Sequence, residues 1–136
     1  MSNDGKMDLF NKLKQKKILL IDDDEWIRDS LGLFFESEGC CLLAVETAEE
    51  GLEKLKSCNY DIIIIDYRLP FMDGLEFLER IKGFHSSALT LLITAYGNKD
   101  VFLKANKLGV NYIISKPFTV KAIEETLIRL MRTSGN

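Results

Sequence analysis

The chain lacks any run of about eighteen apolar residues, which excludes a transmembrane helix. Its start, "MSNDGKMDLF", has neither the basic n-region nor the long apolar h-region of a secretory signal, so a cytoplasmic location is expected. It also lacks an excess of basic charge: 18 Lys and Arg stand against 21 Asp and Glu, for a net charge of −3. That balance leaves no electrostatic footprint for nucleic acid, and neither nucleic acid nor membrane is expected as a partner. Cysteine is scarce. Cys40, Cys41 and Cys58 are odd in number, two are adjacent, and none shows CxxC spacing, so they are expected as small apolar side chains rather than zinc or redox ligands. The single histidine, His85 in "KGFHSSA", has no nearby Cys, His or acid to share a ligand with and is expected in a solvated loop. No Gly-rich G-x-x-x-x-G-K-[ST] loop follows the first apolar run, which sets aside a nucleotide-binding module. Repeats, low-complexity stretches and a second domain are absent as well.

What is present is a regular alternation. The chain has 136 residues, 46% of them hydrophobic, enough for one domain with a substantial core. "KILLI" (17–21), "CLLAV" (41–45), "DIIII" (61–65), "LTLLI" (89–93) and "YIIS" (112–115) have the length and β-rich content of strands. Helical spacing follows each: Ile27, Leu31, Phe34 and Phe35; then "TAEEGLEKL"; then Leu75, Leu78 and Ile81; then Val101, Ala105 and Leu108; and finally Ile123, Leu127, Leu130 and Met131. Thr47 with Glu50, and Asp73 with Glu76, form capping patterns; Thr119 is expected to cap the last helix, and Gly39 and Gly109 to end the first and fourth. Five strand–helix repeats imply right-handed crossovers and a parallel sheet covered on both faces, a three-layer doubly wound α/β domain. It is expected over residues 16–133, after an extension over 1–15 and before a tail over 134–136. Within the extension Leu9, Phe10 and Leu13 suit either a short helical turn or disorder.

The strands end in a particular set of side chains. The first ends before Asp22, Asp23 and Asp24, the third before Asp66, the fourth before Thr94 and the fifth before Lys116. In open parallel sheets ligands bind outside the carboxyl ends of strands, where strand order reverses. For the order 2-1-3-4-5 that point lies between the first and third strands. Asp22, Asp23 and Asp66 are therefore expected to converge, flanked by Thr94 and Lys116. Carboxylates held this close raise one another's pKa unless a cation compensates. Oxygen-only ligands suit Mg²⁺, or Mn²⁺ in its place, with phosphate oxygens completing the shell. Lys116 and Thr94 could then stabilise a transferring phosphoryl group, with Asp66 as nucleophile. Each feature has a plainer reading: "DDDE" as a helix cap, and a lysine before proline as a surface residue. Four strand ends agreeing on one chemistry favour the site.

With "ILLIDDDEWIR", "DIIIIDYRLPFMDG", "LLITAYG" and "ISKPF" in this order, residues 16 to 132 resemble a receiver domain of two-component response regulators, the CheY-like group. The resemblance implies a flavodoxin-like (βα)5 fold. It implies phosphorylation of Asp66 by the phosphohistidine of a sensor histidine kinase or phosphotransfer protein, with Mg²⁺ required. It assigns Asp23 as direct metal ligand, Asp22 mainly through water, and the backbone carbonyl of Arg68 as the third protein ligand beside Asp66. Thr94 would be the switch hydroxyl and Lys116 its partner, with a cis Lys116–Pro117 bond. The face formed by the fourth helix, fifth strand and fifth helix would serve partners or a homodimer, and the product would be either a single-domain regulator or the receiver of a longer one.

Two departures from the family stand out. The position three before the lysine, usually aromatic, is Ile113, and Tyr112 is expected on the other sheet face. Arg68 and Tyr96 occupy the positions that tune hydrolysis and are expected to obstruct the attacking water and lengthen the phosphorylated lifetime. Trp26 is expected in the loop near the metal rather than in the core. Two other functions compete with the switch. A metal-dependent phosphohydrolase would want a second acid near Asp66 and a lid; a pseudo-receiver would not need its acids, threonine and lysine intact.

Overall fold

The computed structural model describes residues 13–84, 87–95 and 98–133. His85, Tyr96, Leu9 and Phe10 lie outside the described residues. Among the described residues five strands, β1 (Lys17–Ile21), β2 (Cys41–Val45), β3 (Ile62–Asp66), β4 (Leu89–Ala95) and β5 (Tyr112–Lys116), alternate with five helices. These are α1 (Glu25–Ser37), α2 (Ala48–Ser57), α3 (Gly74–Ile81), α4 (Lys99–Leu108) and α5 (Val120–Thr133). The sheet is parallel, in the order β2-β1-β3-β4-β5. β3 lies at its centre, between β1 and β4, with helices over both faces. That placement explains the unbroken isoleucines from Ile62 to Ile65, all buried, each contributing about 1.5–3 kcal/mol.

Alternation along the strands divides the core in two. Ile18, Leu20, Ile62, Ile64, Leu91 and Ile93 meet Ile27, Leu31 and Phe35 of α1 and Ile123, Leu127 and Met131 of α5. Leu19, Ile21, Ile63, Ile65 and Leu92 meet α2, α3 and α4. Ile113 packs on the second face, whereas Tyr112 lies under the Arg129 guanidinium of α5, 5.5 Å from its ring centroid, so the two do occupy opposite faces.

The caps follow the sequence patterns. Thr47 and Glu50 form a full capping box, Asp73 accepts from the Glu76 N–H, and Thr119 Oγ1 accepts from the Ala122 N–H at 3.0 Å. Gly39 and Gly109 end α1 and α4 at φ 77° and 80°, a region that glycine enters without strain. One expectation is corrected: Leu13, assigned to the extension outside the domain, is 1% exposed and part of the α1–α5 core.

Candidate functional site

Local structure delivers each chemical group to one end of the sheet. β1 stops at Ile21, and Asp24 caps α1 by accepting from the N–H groups of Trp26 and Ile27. Asp22 and Asp23 form the short bend between. Because Ile21 pairs with Ile65, residues 22 and 66 leave neighbouring strands side by side. Thr94 lies one residue past Ile93, the partner of Asp66, and Lys116 pairs with Ala95. Asp66, Thr94 and Lys116 are themselves strand residues, where the sequence placed all three just beyond the apolar runs. Backbone pairing does not depend on the polarity of the side chain, so the ladder runs on through them.

Asp22, Asp66 and Thr94 are 0%, 3% and 1% exposed; Asp23 is exposed. One carboxylate oxygen from each of Asp22, Asp23 and Asp66 lies within 4.8 Å of the others. Lys116 Nζ donates to Asp66 Oδ2 at 3.2 Å. The Asp24 N–H donates to Asp22 Oδ1 at 2.9 Å, and the Arg28 guanidinium donates to the Asp22 carbonyl at 2.9 Å, anchoring the bend to α1. Burial pushes the Asp22 carboxyl up to about 6, opposed by the Asp24 N–H and reinforced by the Asp66 charge. Burial also pushes Asp66 up, with Lys116 pulling it back.

Asp22 Oδ2 and Thr94 Oγ1 are buried without a hydrogen-bond partner among the described residues. An unsatisfied buried polar atom costs about 1–3 kcal/mol. Asp22 directly follows β1 and Thr94 stands on β4, the two strands that flank β3, so they bracket Asp66. Three clustered carboxylates with a lone pair turned inward are a hard oxygen donor set, and the residues present fit a Mg²⁺-type ion.

The loop after Asp66 is tightly built. A Cβ on Gly74 would stand 2.5 Å from the Asp66 carbonyl oxygen, so only glycine fits there. Phe71, exposed, has φ 70°, rare for a residue with a side chain, and the Met72 N–H closes the turn on the Pro70 carbonyl at 2.8 Å. Arg68 is exposed two residues past Asp66, and its backbone N–H adds a small downward pull on the Asp66 carboxyl. The Lys116–Pro117 bond is cis, as expected.

Trp26 requires a correction. It is in the first turn of α1 rather than in a loop, because Asp24 starts the helix at Glu25. It is 72% exposed and lines a groove of about 420 Å³ with Ile27, Ala95, Lys116, Pro117 and Phe118. Sequence reasoning missed Arg28 and Phe71, whose parts in shaping the site rest on a carbonyl contact and a backbone angle that no spacing reveals.

The model of the response regulator receiver domain matches residues 18–128. Sporulation initiation phosphotransferase F of Bacillus subtilis is 27% identical, over 91% of this chain and 100% of its own length. Chemotaxis protein CheY of Halobacterium salinarum is 30% identical over 82% of this chain and 93% of that protein. The transcriptional regulatory protein FixJ of Bradyrhizobium diazoefficiens is 33% identical, but this chain spans only 56% of its length. Among solved structures, a CheY-like receiver domain protein from Methanospirillum hungatei superposes with a TM-score of 0.77 at 29% identity, over 87% of this chain and 98% of that one. A two-component response regulator from Clostridium difficile, at 23% identity, shares the fold with a TM-score of 0.82 over 89% and 99% of the chains. Among the described residues no helix is long and apolar enough to cross a membrane. Fold, site geometry and these likenesses agree: the chain belongs to the response regulator receiver family, the signalling-switch domain of two-component systems.

Proposed function

We propose that this chain is a phosphoacceptor. Asp66 takes a phosphoryl group from the phosphohistidine of a sensor histidine kinase or phosphotransfer protein, and the modified domain switches conformation to control an output partner or domain. Asp22, Asp23, Asp66 and the backbone carbonyl of Arg68 would hold Mg²⁺ or Mn²⁺. When bound, the ion supplies positive charge that the carboxylates and phosphoryl oxygens share. An Asp66 oxygen forms the bond to phosphorus as the imidazole N–P bond breaks, and the released imidazole keeps that electron pair. Lys116, now on Asp66 Oδ2, follows the charge onto a phosphoryl oxygen. The Thr94 hydroxyl donates to another, and its movement biases the two-state equilibrium.

The observation that carries this reading is the pair of buried, unpartnered atoms, Asp22 Oδ2 and Thr94 Oγ1, at the carboxyl ends of the strands either side of Asp66. One lacks a cation and the other an acceptor; a phosphoryl–metal group supplies both. The protein would catalyse only its own phosphorylation and a slow autodephosphorylation. Arg68, exposed beside the acceptor, would hinder the attacking water and prolong the modified state. With Ile113 in place of an aromatic, switching would run through Thr94 without a ring turning inward on β5. Exposed Leu103 on α4 and the Tyr112–Arg129 stack between β5 and α5 mark the face for an output partner or homodimer. The reading carries a cytoplasmic location with it.

Incubation with a small phosphodonor and Mg²⁺ tests the assignment. Label is expected on the unmodified chain and lost on chelation. Undiminished labelling of Asp66→Asn would overturn it.

A further inference from the structure

A second cluster of reactive groups gathers at the opposite end of the sheet. Lys17 opens β1, and Cys41 is its register partner on β2. Asp61 clamps the Lys17 backbone: its Oδ2 accepts from the Lys17 N–H at 2.9 Å, and its N–H donates to the Lys17 carbonyl at 2.8 Å. From this fixed root the lysine side chain reaches the C-terminal end of α2, where Nζ donates to Cys58 Sγ at 3.1 Å. The sulfur is 3.7 Å from the Asn59 carbonyl. Cys58 is half-buried, while Lys17 and Cys41 are exposed. The hydrogen bond to Cys58 pushes the Lys17 ammonium up, and the Tyr60 phenol is pushed up first by burial and then by the same sulfur. Nothing in the phosphoacceptor reading uses these groups.

We propose that Cys58 and Lys17 form a redox-modification site, in which hydrogen peroxide oxidises the thiol and the lysine amine captures the product. The Lys17 ammonium, 3.1 Å from Cys58 Sγ, stands where it can give a proton to the leaving oxygen when the sulfur reacts as thiolate. The Cys58 sulfur attacks one peroxide oxygen and the O–O bond breaks; the departing hydroxide takes a proton from Lys17 and leaves as water. Cys58 is then a sulfenic acid facing a neutral amine. Sulfenic acids condense with nitrogen. Nζ attacks the sulfur, the S–O bond breaks, and the oxygen leaves with a proton as a second water. Sulfur has lost two electrons and the peroxide has gained them. One thiol, one amine and one peroxide give an S–N bond and two waters. The link ties the first residue of β1 to the end of α2; a free thiol attacking the sulfur releases the amine and leaves a mixed disulfide, which a second thiol reduces back to Cys58. Cys40, buried and with its thiol pushed up first by that burial, stays unreactive.

Peptide mass spectrometry of the full chain after peroxide treatment, with and without a cyclic diketone that traps sulfenic acids, tests the site. Trapping is expected on Cys58 severalfold faster than on Cys41, although Cys41 is the more exposed. Without the trap a Lys17–Cys58 cross-linked peptide is expected, lighter by two hydrogens and cleaved by thiol. Lys17→Arg keeps a cationic donor and is expected to retain fast trapping while losing the link. Lys17→Met is expected to slow trapping to the Cys41 rate. Equal trapping of Cys58 and Cys41 in the unmodified chain, or a Cys41–Cys58 disulfide in place of the lysine link, would overturn the proposal. Phosphodonor labelling of Asp66 is unaffected by either result.

Discussion

At the amino ends of the strands, polar groups hold one another. The Lys17 N–H donates to Asp61, the Thr90 N–H donates to Asn111 Oδ1 at 2.8 Å, and the Asn111 N–H reaches the Thr90 carbonyl at 3.1 Å. At the carboxyl ends, Asp22 and Thr94 are buried with atoms that find no partner among the described residues, and Asp66 has one lysine for a buried charge. One sheet thus ends in closed local networks on one side and an open, electrostatically costly cluster on the other. The amino end serves stability. The carboxyl end gives stability up, the arrangement expected of a site that a bound group completes.

Two glycines test that contrast most severely. Gly74→Ala drives a Cβ against the Asp66 carbonyl, whereas among the described residues nothing lies within 4 Å of one on Gly83, at the amino end. Denaturant unfolding is expected to show Gly74→Ala losing about 3 kcal/mol, and Gly83→Ala staying within about 0.5 kcal/mol of the parent. Equal losses would erase the difference between the ends.

Opposite signs are expected for two aspartates. With chelator at pH 8, Asp22→Asn should stabilise the chain by about 1–3 kcal/mol, because it removes a buried charge. Asp61→Ala should cost about 1 kcal/mol, because it breaks a satisfied bond. A destabilised Asp22→Asn would show that burial does not penalise this carboxylate.

The same pair of chains defines a pH dependence. Asp22 titrates near 6 when folded and near 3.8 when unfolded, so ionisation costs more in the native state. Metal-free stability attributable to this group is full below about pH 4 and lost as pH rises through 6. Asp66 shifts in the same direction. The gap between Asp22→Asn and its parent should therefore close as pH falls from 8 to 4, and also on adding Mg²⁺ to the parent at pH 8. A gap that does not change with pH would contradict the burial argument.

The smallest effect is optical. Trp26 shares its groove with Lys116, close to the Asp22–Asp24 bend, so its fluorescence should change on Mg²⁺ titration; a flat titration would place the ion elsewhere.

Much of this was legible beforehand. The strands over 17–21 and 41–45 match residue for residue, and the isoleucine run marks the central strand. The polar residues Asp22, Asp66, Thr94 and Lys116 were legible because each interrupts an apolar run, where a buried charge or hydroxyl stands out. Less visible was Leu13, since so short a group of apolar residues ahead of β1 does not reveal whether it packs on the domain. Glu124 and Thr126, buried on α5, were not anticipated either; Thr126 is satisfied by the Ala122 carbonyl at 2.8 Å, a bond that only the formed helix offers. Trp26 was misplaced because the helix start turns on which of three consecutive aspartates is the cap, and all three have the same propensity.

Local patterning by itself determined the alternation of strand and helix, the helix ends and the set of groups available for chemistry. Those depend on the period of apolar residues and on side chains bonding their own backbone. Tertiary structure alone decided that Asp22 carries the larger burial while Asp23 faces solvent, that Lys17 meets Cys58, and that Thr94 is left without a partner among the described residues. These are contacts between segments distant in sequence or matters of burial, and neither exists until the sheet has closed.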